Sequence, residues 1–195
     1  MKSFELYIHI PFCKKKCAYC DFLSAPADYP ERLAYVKRLK EEMAFYREAC
    51  EGFEADTVFI GGGTPTVLEG RHMAELMDAL RDCFRISPRA EITAECNPGT
   101  LDGNKAAELY GAGINRISLG LQSASNLELA MLGRIHTFEE FLESFGEARK
   151  AGFRNINVDL MSALPGQTVK SWEQTLKKVT ALHPEHISAY SLMIE

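Results

Sequence analysis

The sequence predicts an α/β fold built on a parallel sheet. Six short apolar runs rich in β-branched residues recur along the chain. Amphipathic segments with apolar residues at three- and four-residue steps fill the intervals between them. Strand and helix thus alternate five times before a final strand. Such alternation demands parallel strands joined by right-handed crossovers.

The elements follow in order. Leu6 to Ile10 is the first strand: apolar, short and stopped by Pro11. Pro30 to Ala49 places Leu33, Val36, Leu39, Met43 and Tyr46 on one helical face, with Lys and Glu between them. Thr57 to Ile60 is the second strand, ended by glycines. Gly70 to Phe84 repeats the helical pattern with Met73, Leu76, Met77 and Leu80. Glu91 to Glu95 is the third strand, and Gly111-Ala112-Gly113 closes the helix after it. Asn115 to Leu121 is the fourth strand. Thr137-Phe138-Glu139-Glu140 is a capping box ahead of Phe141, Leu142 and Phe145, and Ala151-Gly152 ends that helix. Asn155 to Leu160, a helix over Thr168 to Leu182, and Glu185 to Leu192 complete the series.

Composition narrows the function classes. The 195 residues are 46% hydrophobic and 25% charged, so a real core is expected rather than disorder. A net charge of −5 gives no basic surplus for nucleic acid. No apolar run reaches the roughly 18 to 20 residues of a membrane span. Met1 to Leu6 makes a poor signal peptide, and the expected setting is a reducing cytoplasm.

Two closures fit the alternation: an open doubly wound sheet, or part of a (β/α) barrel. Periodicity does not choose between them. Both place a site at the carboxyl ends of the strands. The residues just after each strand are therefore the ones that carry chemistry.

After the first strand comes Pro11-Phe12-Cys13-Lys14-Lys15-Lys16-Cys17-Ala18-Tyr19-Cys20. Three thiols in one loop, spaced Cys-x3-Cys-x2-Cys, suit soft metal centres. A structural zinc wants four protein ligands, with Cys96 or His9 as the remaining candidates. Cys50 and Cys83 read as helical, core or surface residues. A [4Fe–4S] cluster held by three cysteines keeps one iron open for a ligand. Lys14 to Lys16 read as solvated loop, or as an offset to cluster charge. The second strand ends in Gly61-Gly62-Gly63-Thr64-Pro65, and glycines there let backbone approach a ligand closely. Glu95 ends the third strand and Gln122 follows the fourth, while Asp159 lies within the fifth. A carboxylate in a buried strand is costly unless paired, so Glu95 and Asp159 each meet a network or a ligand. Arg134, in Leu132-Gly133-Arg134-Ile135-His136, is suited to bind a carboxylate with two hydrogen bonds. His136 reads as a local cap or core partner. Glycine or polar groups at successive strand ends are explained by one shared pocket.

Tyr7-Ile8-His9-Ile10-Pro11-Phe12-Cys13 with Cys17 and Cys20 resembles the radical S-adenosylmethionine superfamily. Within it the chain resembles the oxygen-independent coproporphyrinogen III oxidase-like group over its full length. The resemblance implies a partial (β/α)6 TIM-like barrel of parallel strands ending at strand six. It implies a [4Fe–4S] cluster on Cys13, Cys17 and Cys20, with S-adenosylmethionine chelating the open iron. By the same resemblance Gly62, Gly63 and Thr64 hold the methionyl end of that cofactor. Glu95, Gln122, Arg134 and Asp159 contact it, as do Tyr7, Tyr19 and Tyr190, the two last near the adenine.

The oxidases of that group carry a fourth cysteine two residues after the third. Here Phe22 stands there, and Cys20-Asp21-Phe22 resembles the HemW branch of heme chaperones. Gly133-Arg134-Ile135-His136-Thr137 fits that branch as well. The resemblance therefore implies heme or a porphyrin as ligand, an electron donor for the cluster and heme-accepting partner proteins. Two alternatives stand beside it: oxidative decarboxylation of coproporphyrinogen III, and a zinc-stabilised α/β domain. No internal linker divides the chain, so residues 1–195 read as one radical S-adenosylmethionine core. Family barrels continue into a C-terminal domain, and the length suggests an N-terminal piece ending at Glu195.

Overall fold

The computed structural model describes residues 2–193; Glu195, the last residue of the sequence, lies outside them. The strands are β1 (Lys2–Ile10), β2 (Phe53–Gly62), β3 (Ile86–Cys96), β4 (Arg116–Gln122), β5 (Ile156–Ser162) and β6 (His186–Ser191). The helices are α1 (Tyr29–Tyr46), α2 (Gly70–Cys83), α3 (Gly103–Gly111), α4 (Asn126–Met131), α5 (Phe138–Ala151) and α6 (Val169–Thr180). A 3-10 turn, Pro65–Val67, follows β2.

Strand order decides between the two closures. The six strands pair in parallel in the order β1-β2-β3-β4-β5-β6. A doubly wound sheet reverses its order at a switch point. This one never does, so successive right-handed crossovers keep the helices on one face and the sheet curls into a half-barrel. Register shifts at Phe4/Glu5, Ala55/Thr57 and Gly120/Gln122 add local twist.

The core sits on the convex face, between strands and helices. Ile8, Ile10, Val58, Ile60, Ala94, Ile117, Leu119, Ile156, Val158 and Leu160 are buried there. They pack with Met73, Leu76, Met77 and Leu80 of α2 and with Phe141, Phe145 and Ala148 of α5. Side chains alternate along a strand, so the residues between these positions line the concave face. That set includes Tyr7, His9, Gly61, Glu95, Ser118, Asn157, Asp159 and Tyr190. Apolar strand runs thus hide an alternation between core and site.

Caps fix the helix starts. Asp28 and Glu31 form a capping box at α1, Thr137 and Glu140 at α5, and Thr168 and Ser171 at α6. Most boundaries lie within a few residues of the sequence reading. Two differences are informative. Helix α4 was not expected: it is six residues long, too short to show a period, and is capped by Ser125. Cys50 lies in the turn after α1 rather than in a helix, because α1 stops at Tyr46, three residues short of the expected Ala49. Cys83 is the last residue of α2.

Candidate functional site

The loop after β1 is pinned at three places. The Cys13 amide donates to Ala25 O at 3.1 Å while Ala25 donates to Pro11 O, which folds the loop back on itself. The Gly63 amide donates to Ile10 O and the Thr64 amide to Phe12 O, locking the loop to the β2 turn. The Ala18 amide donates to Leu132 O, tying it to the segment that carries Arg134. Irregular backbone is held over the strand ends by ordinary peptide hydrogen bonds.

Beneath this loop is a cavity of about 330 Å³. Cys13, Cys17 and Cys20 line one side. Gly62, Gly63, Thr64, Glu95, Gln122, Arg134, Asp159, Tyr19 and Tyr190 line the rest. Every predicted site residue but one is therefore brought together, from both ends of the sheet. The exception is Tyr7, which is 57% exposed, stacks on Phe59 and lies outside that lining. Its hydroxyl meets His9 Nδ1 at 3.1 Å, and His9 Nε2 reaches Leu23 O.

Each polar group in the cavity has a partner set by its strand. Glu95 Oε2 accepts the Gly62 amide at 2.9 Å. Burial raises the Glu95 pKa; the Gly62 bond opposes this, the nearby Asp159 charge adds to it, and His9 opposes it. Asp159 accepts from Ser118 Oγ at 3.2 Å and from Asn157 Nδ2 at 2.8 Å, and burial raises its pKa against those bonds. Tyr190 on β6 donates to Gln122 Oε1 at 2.7 Å, and burial pushes its phenol up to about 12. Gln122 holds φ at 76°, an uncommon left-handed conformation for a non-glycine residue, immediately after the register shift in β4. Such conformations concentrate at functional sites because the surroundings must enforce them.

Arg134 crosses the cavity. Its Nη2 donates to Asn97 Oδ1 at 2.6 Å and to Gly120 O. Its Nη1 approaches Cys17 Sγ at 3.6 Å and Tyr19 OH at 3.5 Å. Burial raises the Tyr19 pKa, against the Arg134 charge. The Arg134 Nε is buried without a partner. An orphaned guanidinium donor at the edge of a cavity calls for an acceptor. His136, two residues on, is buried and bonds Leu121 O, as a core partner does.

The residues fit a three-cysteine cluster and an amino-acid-bearing cofactor. Among the described residues no three His, Cys, Asp or Glu side chains are grouped as around a single metal ion. A cubane spreads its ligands over separate irons, whereas one zinc draws sulfurs to about 2.3 Å. The two candidate fourth ligands for zinc are occupied elsewhere: His9 as described, and Cys96 Sγ on Ala94 O, with its thiol pushed up to about 12 by burial. Gly62, at φ +109°, has the His9 ring where a Cβ would lie, so only glycine fits this turn at the cavity wall, and its amide is held by Glu95. Acidic Glu95 and Asp159 suit an ammonium or ribose hydroxyls, and Arg134 suits a carboxylate.

Asn97, Ser118 and Asn157 were missed as participants. Asn97 sits immediately past the end of β3, where only its position marks it. Ser118 and Asn157 look like small polar interruptions in apolar strands, and only the alternation of faces reveals them.

Comparison with known proteins agrees with the geometry. The chain is 41% identical over 193 residues to the heme chaperone HemW of Escherichia coli (strain K12), covering 98% of this chain and 51% of that protein. It is 40% identical over 201 residues to the heme chaperone HemW of Bacillus subtilis (strain 168), covering 100% and 51%. The chain spans about half the length of the curated relatives it matches. Among solved structures, coproporphyrinogen III oxidase (HemN) from Escherichia coli, a radical SAM enzyme, superposes with a TM-score of 0.91 at 30% identity, over 98% of this chain and 44% of that one. The model of the Radical SAM superfamily matches residues 7–179. That match begins within β1 and ends within α6, taking in every residue of the cavity lining except Tyr190, and on it the chain belongs to the radical S-adenosylmethionine superfamily.

Proposed function

We propose that this chain is the radical S-adenosylmethionine core of a HemW-type heme chaperone. One observation carries the reading: three cysteine thiols hang over a polar cavity that gathers Glu95, Gln122, Arg134 and Asp159. Family membership implies a [4Fe–4S] cluster and S-adenosylmethionine. Cys13, Cys17 and Cys20 would hold the cluster. Gly62, Gly63, Thr64 and Arg134 would hold the methionyl end of the cofactor, and Asp159, Gln122, Tyr19 and Tyr190 the nucleoside. When bound, the pair supplies one-electron cleavage of the cofactor's sulfonium. The protein's own part is to orient: Glu95 and Asp159 accept from donor groups.

The chaperone assignment rests on the HemW relatives and on Phe22, which is 70% exposed at the cavity rim where the oxidases have a fourth cysteine. Heme is then the ligand, and heme-accepting proteins and a one-electron donor are the partners. Six free cysteines suit a reducing, cytoplasmic setting; no helix among the described residues is long and apolar enough to cross a membrane. The likeness to HemN favours a second reading, decarboxylation of coproporphyrinogen III.

Anaerobic reconstitution with iron and sulfide tests the cluster. The expected result is a dithionite-reducible [4Fe–4S] signal that disappears in Cys13→Ala, Cys17→Ala and Cys20→Ala. Heme titration beside a coproporphyrinogen assay separates the two readings. Stoichiometric heme binding without porphyrin turnover is expected, and turnover would replace the chaperone by the oxidase.

A further inference from the structure

Asn97 bridges the two segments that face the cysteine loop. Its Oδ1 lies 2.6 Å from Arg134 Nη2, and its Nδ2 lies 2.7 Å from Thr64 Oγ1. The orientation of that amide follows from chemistry. A guanidinium has no acceptor, so the amide oxygen must face Arg134. The amide NH2 must then face Thr64, whose hydroxyl oxygen accepts it. A threonine hydroxyl has one hydrogen, and its oxygen is already receiving. That hydrogen is left to point at Cys13 Sγ, 3.6 Å away. The other arm of Arg134 points Nη1 at Cys17 Sγ, also 3.6 Å away.

One side chain thus polarises a chain of hydrogen bonds that ends on two of the three cysteine sulfurs. Cys20 Sγ receives no side-chain hydrogen bond among the described residues. Thr64 is 2% exposed, so these bonds act where water screens little. Hydrogen bonds to ligating sulfurs stabilise negative charge. They favour the reduced cluster, which carries one more electron, and so raise the reduction potential.

We propose that Asn97 is a positioning residue that raises the cluster's reduction potential by directing Thr64 at Cys13 and Arg134 at Cys17. The inference rests on the reading that these cysteines hold a [4Fe–4S] cluster. Asn97 itself touches neither sulfur. It acts by leaving Thr64 no choice of donor direction and by anchoring the guanidinium. The reaction concerned is addition of one electron to the oxidised cluster from an external donor such as dithionite, with no proton moved and no bond made or broken in the protein.

The test is redox potentiometry of the reconstituted protein, followed by the electron paramagnetic resonance signal of the reduced cluster. Asn97→Leu removes both hydrogen bonds of the bridge at similar volume. The expected result is a reduction equilibrium at least tenfold less favourable, about 59 mV more negative for a one-electron couple. Thr64→Val keeps the Asn97–Arg134 bond and deletes the two bonds of the Thr64 hydroxyl, to Cys13 and to Asn97. It is expected to move the potential in the same direction by less. A purely structural role for Asn97 predicts lost cluster occupancy with the potential of the loaded fraction unchanged. An unchanged potential in cluster-loaded Asn97→Leu overturns the proposal. Where that variant does not load, an unchanged potential in Thr64→Val overturns it instead. A wild-type protein that forms no reducible cluster overturns the cluster reading itself, and this inference with it.

Discussion

The Glu95 carboxylate takes the Gly62 amide hydrogen at 2.9 Å, joining the end of β3 to the glycine turn after β2. The bond is made by a carboxylate that burial holds above its ordinary value of 4.5. One backbone donor does not replace the water that Glu95 gave up. The imbalance suits a site that receives a positively charged ligand.

Glu95→Gln tests that imbalance. A carboxyl with a raised folded pKa favours folding while protonated. Its contribution is fully present below the unfolded value near 4.5 and is lost as pH rises through the folded value. At pH 7 the ionised Glu95 therefore lowers stability. The glutamine variant, whose amide oxygen still accepts from Gly62, is expected to unfold at a higher temperature than wild type at pH 7. The two should converge below pH 4.5. S-adenosylmethionine affinity should fall at the same time, measured by equilibrium dialysis on the reconstituted protein. A variant that is less stable at pH 7 contradicts the account of Glu95.

Gly63→Ala should detach the cysteine loop. A Cβ there would lie 2.6 Å from Phe12 O and 2.8 Å from Phe12 N. Both are backbone atoms, so no side-chain rotation relieves the contact. The loop must move by some tenths of an ångström, and with it the Thr64–Phe12 and Gly63–Ile10 bonds. Iron and acid-labile sulfide per chain are expected to drop by more than half, while far-ultraviolet circular dichroism is retained. Full cluster occupancy would show that the turn does not set the loop.

The contrast between what was legible and what was not has a physical origin. Helices α2 and α5 were readable because their apolar stripes repeat over several turns and end in caps. The half-barrel was not readable from periodicity. Strand order depends on which edges pair, and pairing leaves no mark on a strand's own residues. The cysteines, glycines, Glu95 and Asp159 stood out because each is out of place in an apolar run or a tight loop. Asn97 and Ser118 did not, since a small polar residue near a strand end is commonplace. Their roles come from neighbours brought in from β2, β5 and the segment after α4.

Glu128 provides a prediction away from the cavity. It lies on α4, 5% exposed, and accepts from Ser123 Oγ, Ser171 Oγ at 3.0 Å and Gln167 Nε2 at 3.2 Å. The carboxylate therefore clips the segment after β4 to the start of α6. Glu128→Ala removes the acceptor from all three donors; Ser171 Oγ and Gln167 Nε2 keep Thr168 O and Met161 O, while Ser123 Oγ keeps none, and hydrogen bonds to charged groups contribute about 1.5–3 kcal/mol each. A loss on the order of 3 kcal/mol is expected in urea unfolding, since relaxation and water recover part of the sum. Glu128→Gln, which keeps one acceptor, should lose less. Equal losses would mean that packing, not the carboxylate, secures this corner.

His136 is expected to make the protein sensitive to mild acid. Burial lowers its pKa to about 4, aided by the Arg134 charge and opposed by its bond to Leu121 O. The unfolded chain protonates this imidazole near 6.5, while the folded chain resists. Stability from a depressed histidine is present above 6.5 and is lost as pH falls toward 4. At about 1.4 kcal/mol per pKa unit the loss is on the order of 3 kcal/mol at most. Glu75, lowered by Lys40, and Glu185, where burial is outweighed by Arg149 and backbone hydrogen bonds, titrate below 4.5, and the raised Glu95 and Asp159 gain stability on acidification, so their slope is opposite in sign to that of His136. The expected observation is a fall in urea midpoint between pH 6.5 and 5 that His136→Asn abolishes. Asparagine still has a donor for Leu121 O but gains no proton in that range. Persistence of the same slope in the variant would assign the acid sensitivity to another group.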